Sequence, residues 1–99
     1  MKIEELIKEA NETARKQGLI WTWDDVARQL MWATSELGEA FEAWRHEDFD
    51  HVLEEIADCF ITLADLIGDI DKEGKFISIL KQKLEYNKTR PKYHGAPKP

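Results

Sequence analysis

The chain has 99 residues, 42% of them apolar, which suits one domain and no more. Twenty acidic residues against fourteen basic ones give a formal charge of −6. That balance argues against gripping a nucleic-acid backbone, which needs clustered Lys and Arg, but small phosphorylated substrates stay open because a metal ion can reverse the local field.

The lone cysteine, Cys59, excludes an internal disulfide framework and fits a reducing cytoplasm. The charged start, Met1-Lys2-Ile3-Glu4-Glu5, has no apolar signal core. The richest apolar stretch, Cys59 to Ile67, is broken by Thr62 and Asp65 and is too short to span a bilayer, so no membrane role is expected.

In chain order, Ile3, Leu6, Ile7, Ala10 and Ala14 fall on one helical stripe that Gly18 would stop. Thr22 or Asp24 could cap a second helix. It carries Val26, Ala27, Leu30, Ala33, Leu37, Ala40, Phe41 and Trp44, and runs to about Arg45. His46-Glu47-Asp48-Phe49 reads as a tight connection. Asp50 could then cap a third helix with Val52, Leu53, Ile56, Ala57, Phe60, Leu63, Ala64 and Ile67 as its apolar positions. Between Cys59 and Ile67 that helix is apolar around most of its circumference. Such a helix is usually surrounded, and four short helices do not easily surround it. Asp71 could cap a fourth helix bearing Phe76, Ile77, Leu80 and Leu84, with Gly74 an early weak spot. The spacing thus predicts an all-α fold: a four-helix domain over 1–90 with short connections, packed into a bundle that a second subunit completes. A Pro- and Lys-containing tail follows over 91–99.

Two carboxylate pairs carry the chemistry. Glu36 and Glu39 are three residues apart, as are Glu55 and Asp58, so each pair shares a helix face. If helices two and three form an antiparallel hairpin, Glu39 lies about eight residues before the turn and Glu55 about eight after it. At ~1.5 Å rise per residue both stand ~12 Å from the turn. Glu36 and Asp58 are level one helical turn further on, and four carboxylates face one spot. Such groups repel each other unless a cation joins them, and oxygen-only ligands favour hard ions: Mg²⁺, with Mn²⁺ as a substitute, or Ca²⁺. With 20 acidic residues, i,i+3 pairs also arise by chance on solvated faces; it is the register between the pairs that carries weight. A di-iron bundle would need Glu-x-x-His motifs, and none of His46, His51 and His94 stands three residues after a glutamate.

Near the end, Lys83, Asn87 and Arg90 follow i, i+4, i+7 spacing inside the only strongly basic stretch. A Lys and an Arg on one face can hold phosphate oxygens; cations also favour a helix C-terminus for dipole reasons. Of the four tryptophans, Trp23 and Trp32 precede the acidic motif on the same helix or its entry and are candidates to stack on a nucleobase. Thr62 and Asp65 extend the Glu55–Asp58 face and are candidates for supporting or sugar contacts.

Ser35-Glu36-Leu37-Gly38-Glu39-Ala40, followed by Glu54-Glu55-Ile56-Ala57-Asp58, resembles the MazG-like nucleoside triphosphate pyrophosphohydrolases, and Lys83-x₃-Asn87-x₂-Arg90 looks like their ending. The resemblance covers roughly Asp24 to Arg90 and the compact single-domain type. It implies cleavage of a nucleoside triphosphate between the α and β phosphates, giving a monophosphate and pyrophosphate. It also implies Mg²⁺ held by Glu36, Glu39, Glu55 and Asp58, with Lys83, Asn87 and Arg90 facing the substrate. It implies dimers or dimers of dimers whose sites draw on more than one subunit. Many members carry an acidic residue just before the first motif glutamate, where this chain has Ser35, so the number of ions stays open. Glu39 is the candidate to accept a proton from the attacking water. Two alternatives remain: a related all-α enzyme on dUTP or phosphoribosyl-ATP, or a helical interaction module without catalysis.

Overall fold

A computed structural model describes residues 1–90; the tail at 91–99 lies outside the described residues. The fold is all-α, as the spacing predicts: α1 (Ile3–Lys16), a single 3₁₀ turn (Trp23–Asp25), α2 (Val26–Arg45), α3 (Phe49–Ile70) and α4 (Phe76–Thr89). No strand occurs among the described residues. None of the described helices is long and apolar enough to cross a membrane.

The helix ends follow local chemistry. Gly18, at φ +82, closes α1: its own N–H bonds the Arg15 carbonyl while the Leu19 N–H reaches back to Ala14. This paired closure needs a left-handed residue, which glycine adopts without strain. α2 ends by the same device, with Glu47 N–H on Trp44 and Asp48 N–H on Ala43, but the left-handed residue is Glu47, at φ 59. Before α2, Thr22 donates from both its backbone and its hydroxyl to Asp25, and the turn they close, not a cap at Asp24, leads into the helix. The cap of α3 is Asp48, whose carboxylate accepts the His51 N–H at 3.1 Å; Asp50, the expected cap, is already inside the helix. The left-handed Glu47 brings the turn round sooner than the spacing suggests. Asp71 does cap the start of α4, accepting from Lys75 N and Phe76 N at 2.8 and 2.9 Å. Those N–H groups, Phe76 first, hold its carboxyl below the ordinary range. Gly74 lies in the turn before α4, not within the helix.

The centre of the molecule is the α2–α3 hairpin. Its seam is built largely from small residues, with Ala33, Ala40 and Ala43 buried on α2 and Cys59 buried on α3. Alanines let the backbones approach, and that closeness matters for the acidic pairs.

α1 covers a second face of α3. Ala10 and Ala14 are buried there, and a methyl added at Gly68 would lie 2.7 Å from the side-chain carbons of Asn11. A polar clasp locks the two helices. Asp69, 1% exposed, accepts from Asn11 Nδ2 (2.8 Å), Arg15 Nη2 (2.8 Å) and the Trp21 N–H (2.6 Å). Asp65 accepts from Trp21 Nε1 (2.8 Å) and Asn11 Nδ2 (3.2 Å).

α4 is set apart. Phe76, Ile77 and Leu80 are half-buried near its start, beside an apolar groove of about 450 Å³ shared with Ile3, Leu6, Leu30, Phe60 and Ile67. From Lys81 to Thr89 it is exposed.

The third face of α3 is uncovered over much of its length. Phe49, Leu53 and Phe60 on α3 are exposed, as are Leu30, Leu37, Phe41 and Trp44 on α2. At about 100° per residue, Leu37 and Glu39 point ~160° apart and Phe60 and Glu55 ~140° apart. One side of the hairpin is therefore apolar, and the acidic pairs lie away from it.

Candidate metal centre

Glu39 and Glu55 face each other across the seam, in the level register expected of an antiparallel hairpin. The Glu39 carboxyl is the main reason that Glu55 sits above the ordinary carboxylate range; burial adds to the effect, while a bond from His51 opposes it. The Glu55 side chain is 13% exposed, and its Oε1 accepts from His51 Nε2 at 3.1 Å. Its Oε2 is shut off from solvent and has no hydrogen-bond partner. Two carboxylates this close repel unless a proton or a cation lies between them.

The other two expected ligands are placed differently. Asp58 is exposed one turn along α3 and adds its charge to the pressure on Glu55. Glu36 is half-buried in the seam, where its Oε1 accepts the Thr62 hydroxyl at 2.6 Å. It stands near Cys59, whose thiol is pushed up first by burial and then by this charge. The four do not converge on one point: among the described residues, no three His, Cys, Asp or Glu side chains are placed to hold one ion. The hairpin register brings one pair together; the rotamer of Glu36, fixed by Thr62, keeps the first motif glutamate apart.

A cleft of about 650 Å³ opens beside the pair, lined by Ser35, Gly38, Glu39, Glu42, His46, His51 and Glu55 among others. Trp32 lies two turns before Glu39 on α2 and is exposed, as is Trp23 in the 3₁₀ turn. Lys83 and Asn87 project from the exposed part of α4. Arg90 closes that helix with its guanidinium 5.9 Å from the centre of the Tyr86 ring. Among the described residues none of these three bonds to the α2–α3 carboxylates. No protein-family model, no curated protein and no solved structure matches the chain.

Thr62 and Asp65, both candidates for supporting contacts, part company. Thr62 bonds Glu36. Asp65 is buried in the clasp with Trp21 and Asn11 and is committed to holding α1. Burial raises the Asp65 carboxyl, and the Trp21 and Asn11 donors only partly offset this. Sequence reasoning missed His51 as the partner of Glu55, although the i,i+4 spacing shows it. It also missed Asp69 as a buried anchor. The clue was two acidic residues, Asp65 and Asp69, four apart in the largely apolar second half of α3.

The pair fits a hard divalent cation on the chemistry of its donors. All are carboxylate oxygens, one oxygen is buried and free, and repulsion between the pair is what a cation relieves.

Proposed function

We propose that this chain is a Mg²⁺-dependent nucleoside triphosphate pyrophosphohydrolase of the MazG-like kind, hydrolysing (deoxy)nucleoside triphosphates between the α and β phosphates. The observation that carries this reading is the Glu39–Glu55 pair, drawn together across a tight helical seam at the edge of an open cleft. Glu39 and Glu55 would hold the cation, with Asp58 and Glu36 joining from the neighbouring turns; Mn²⁺ would substitute. When bound, such an ion neutralises phosphate oxygens and lowers the pKa of a water.

The protein's own groups then do the positioning on which phosphate chemistry chiefly depends. Glu39, exposed at the cleft and bonded to no basic side chain, accepts the proton of the attacking water. Lys83, Asn87 and Arg90 bind phosphate oxygens of the triphosphate. In this arrangement they are not joined to the acidic pair within the chain, which suits a site shared between two subunits, one giving the carboxylates and the other α4. Trp23 and Trp32, exposed on the approach to the motif, offer faces for a nucleobase. The uncovered apolar side of the hairpin is what a second copy would bury to complete the bundle, as a dimer or a pair of dimers.

The test is product identity. The protein is incubated with common and modified (deoxy)nucleoside triphosphates, dUTP and phosphoribosyl-ATP, in Mg²⁺ or in EDTA, and the products are separated by anion exchange. Monophosphate and pyrophosphate, lost in EDTA and in Glu39→Gln, are expected. Diphosphate with phosphate would refute the cleavage position. No turnover, together with no Mg²⁺ effect on melting, would replace the enzyme with a helical interaction module.

A further inference from the structure

We infer that Thr62 is a latch: its hydroxyl parks Glu36 away from the Glu39–Glu55 pair, and a divalent cation draws Glu36 in only by breaking that bond. The inference rests on the divalent-ion reading above. It adds a residue that opposes ion binding without touching the ion.

A threonine inside a helix commonly turns its hydroxyl back onto a carbonyl of the preceding turn. Thr34 does this to the Leu30 carbonyl at 2.9 Å, and Thr89 does it to Tyr86 at 3.0 Å. Thr62 instead sends its hydroxyl across the seam to Glu36 Oε1, at 2.6 Å. That length suits an O–H donor on a charged acceptor, a stronger bond than one between neutral groups. The habitual acceptor is still at hand in the Asp58 carbonyl, four residues back. One hydroxyl thus has two resting places, and rotation about a single side-chain bond separates them. The backbone need not follow. The Thr62 carbonyl is tied to α2 separately, accepting from Nε2 of the buried Gln29 at 3.3 Å.

Glu36 has two places as well. It stands one helical turn before Glu39, where side chains on one face can meet. On Thr62 it is half-buried in the seam, and no three ligating side chains among the described residues converge. Moving to the pair unaided is unfavourable, because a third carboxylate adds to the repulsion that Glu39 and Asp58 already exert on Glu55. A divalent cation reverses that sign, since its charge attracts a further oxygen ligand. The latch therefore makes the extra ligand conditional on the ion. Apparent affinity falls with the fraction of molecules in which Glu36 stands off Thr62, so a stronger latch means weaker binding.

The experiment measures Mn²⁺ binding by titration calorimetry with no nucleotide present, and melting in EDTA and in Mn²⁺. Thr62→Val, nearly the same shape without the donor, is expected to bind about 10-fold more tightly than the wild type. Its melting temperature is expected to rise more on adding Mn²⁺ than that of the wild type. Thr62→Ser, which keeps the hydroxyl, is expected to bind as the wild type does. Glu36→Gln is expected to bind more weakly, and adding Thr62→Val to it to change nothing. Circular dichroism checks the fold of each variant, and Thr62→Ala serves as the donor-less variant if Val disturbs the helix. Unchanged or weaker binding in the donor-less variant, or wild-type affinity in Glu36→Gln, would overturn the latch alone, provided Glu55→Gln abolishes binding. Absence of Mn²⁺ binding in the wild type, or binding that survives Glu55→Gln, would overturn the metal centre and the latch with it.

Discussion

Glu47 is the one non-glycine residue among those described with a left-handed backbone, at φ 59, in the closure that ends α2. Such a conformation strains any side chain with a Cβ, by roughly 1–2 kcal/mol. Glu47→Gly should therefore raise stability by about 0.5–1 kcal/mol, the flexibility of glycine offsetting part of the gain. Urea denaturation checks this, and a loss of stability would mean that the Glu47 side chain makes a contact worth more than the strain. Residue-scale geometry also shows what spacing can and cannot reveal. Glu39 opposite Glu55 was legible, because the two stand nearly equal distances from the turn and α-helical rise is constant. Glu36 was not. Its neighbours in register were right, but whether its carboxylate turns to the pair or to Thr62 is a matter of rotamer, on which spacing is silent.

At the scale of elements, α1 depends on the Asp69 clasp. Burial alone would raise the Asp69 carboxyl, but the donors from Asn11, Trp21 and Arg15 outweigh it and hold the group below its ordinary value of 3.8. A carboxylate depressed in the folded state stabilises it at neutral pH, and that contribution is lost as pH falls through the depressed value. Asp69→Asn keeps the shape but loses the charge, leaving Arg15 and the other donors with a poorer acceptor. It should destabilise by about 3 kcal/mol at pH 7. The gap between variant and wild type should narrow below pH 3.8, and hydrogen exchange in α1 should quicken first. Equal stability of the two at pH 7 would show the clasp to be ornamental. The four helices were readable from apolar periodicity and turn residues because each element is amphipathic in its own right. The clasp was not readable. Buried polar groups break the periodic pattern, and only the fold reveals that Asn11, Arg15 and Trp21 meet Asp69.

For the whole molecule, the decisive feature is the uncovered apolar side of the hairpin, where Phe41 is 57% exposed and stacks on Trp44 with ring centres 5.6 Å apart. Contiguous apolar surface of this kind is what a second copy would bury under the proposed shared site. The wild type is expected to sediment as a dimer or larger species at micromolar concentration, and Phe41→Glu to shift it towards monomer. A monomeric wild type would dismiss the shared site and require α4 to reach the acidic pair within one chain. That α3 has more apolar circumference than its own chain covers was visible in the sequence, since the run from Cys59 to Ile67 leaves little polar face. Which side stays open was not visible, because α1 could have packed on either flank.

Gly38 lies in the interior of α2 beside Glu39, on the cleft, and a methyl placed there meets nothing within 4 Å. Alanine at that position would strengthen the helix by up to about 1 kcal/mol, and nothing within the chain stands in its way. At Gly68 the opposite holds, since Asn11 leaves no space for a side chain. One glycine is explained by what it touches; the other keeps bare backbone on the wall of the cleft. Clearance of that sort leaves α2 room on its cleft side that no described residue fills.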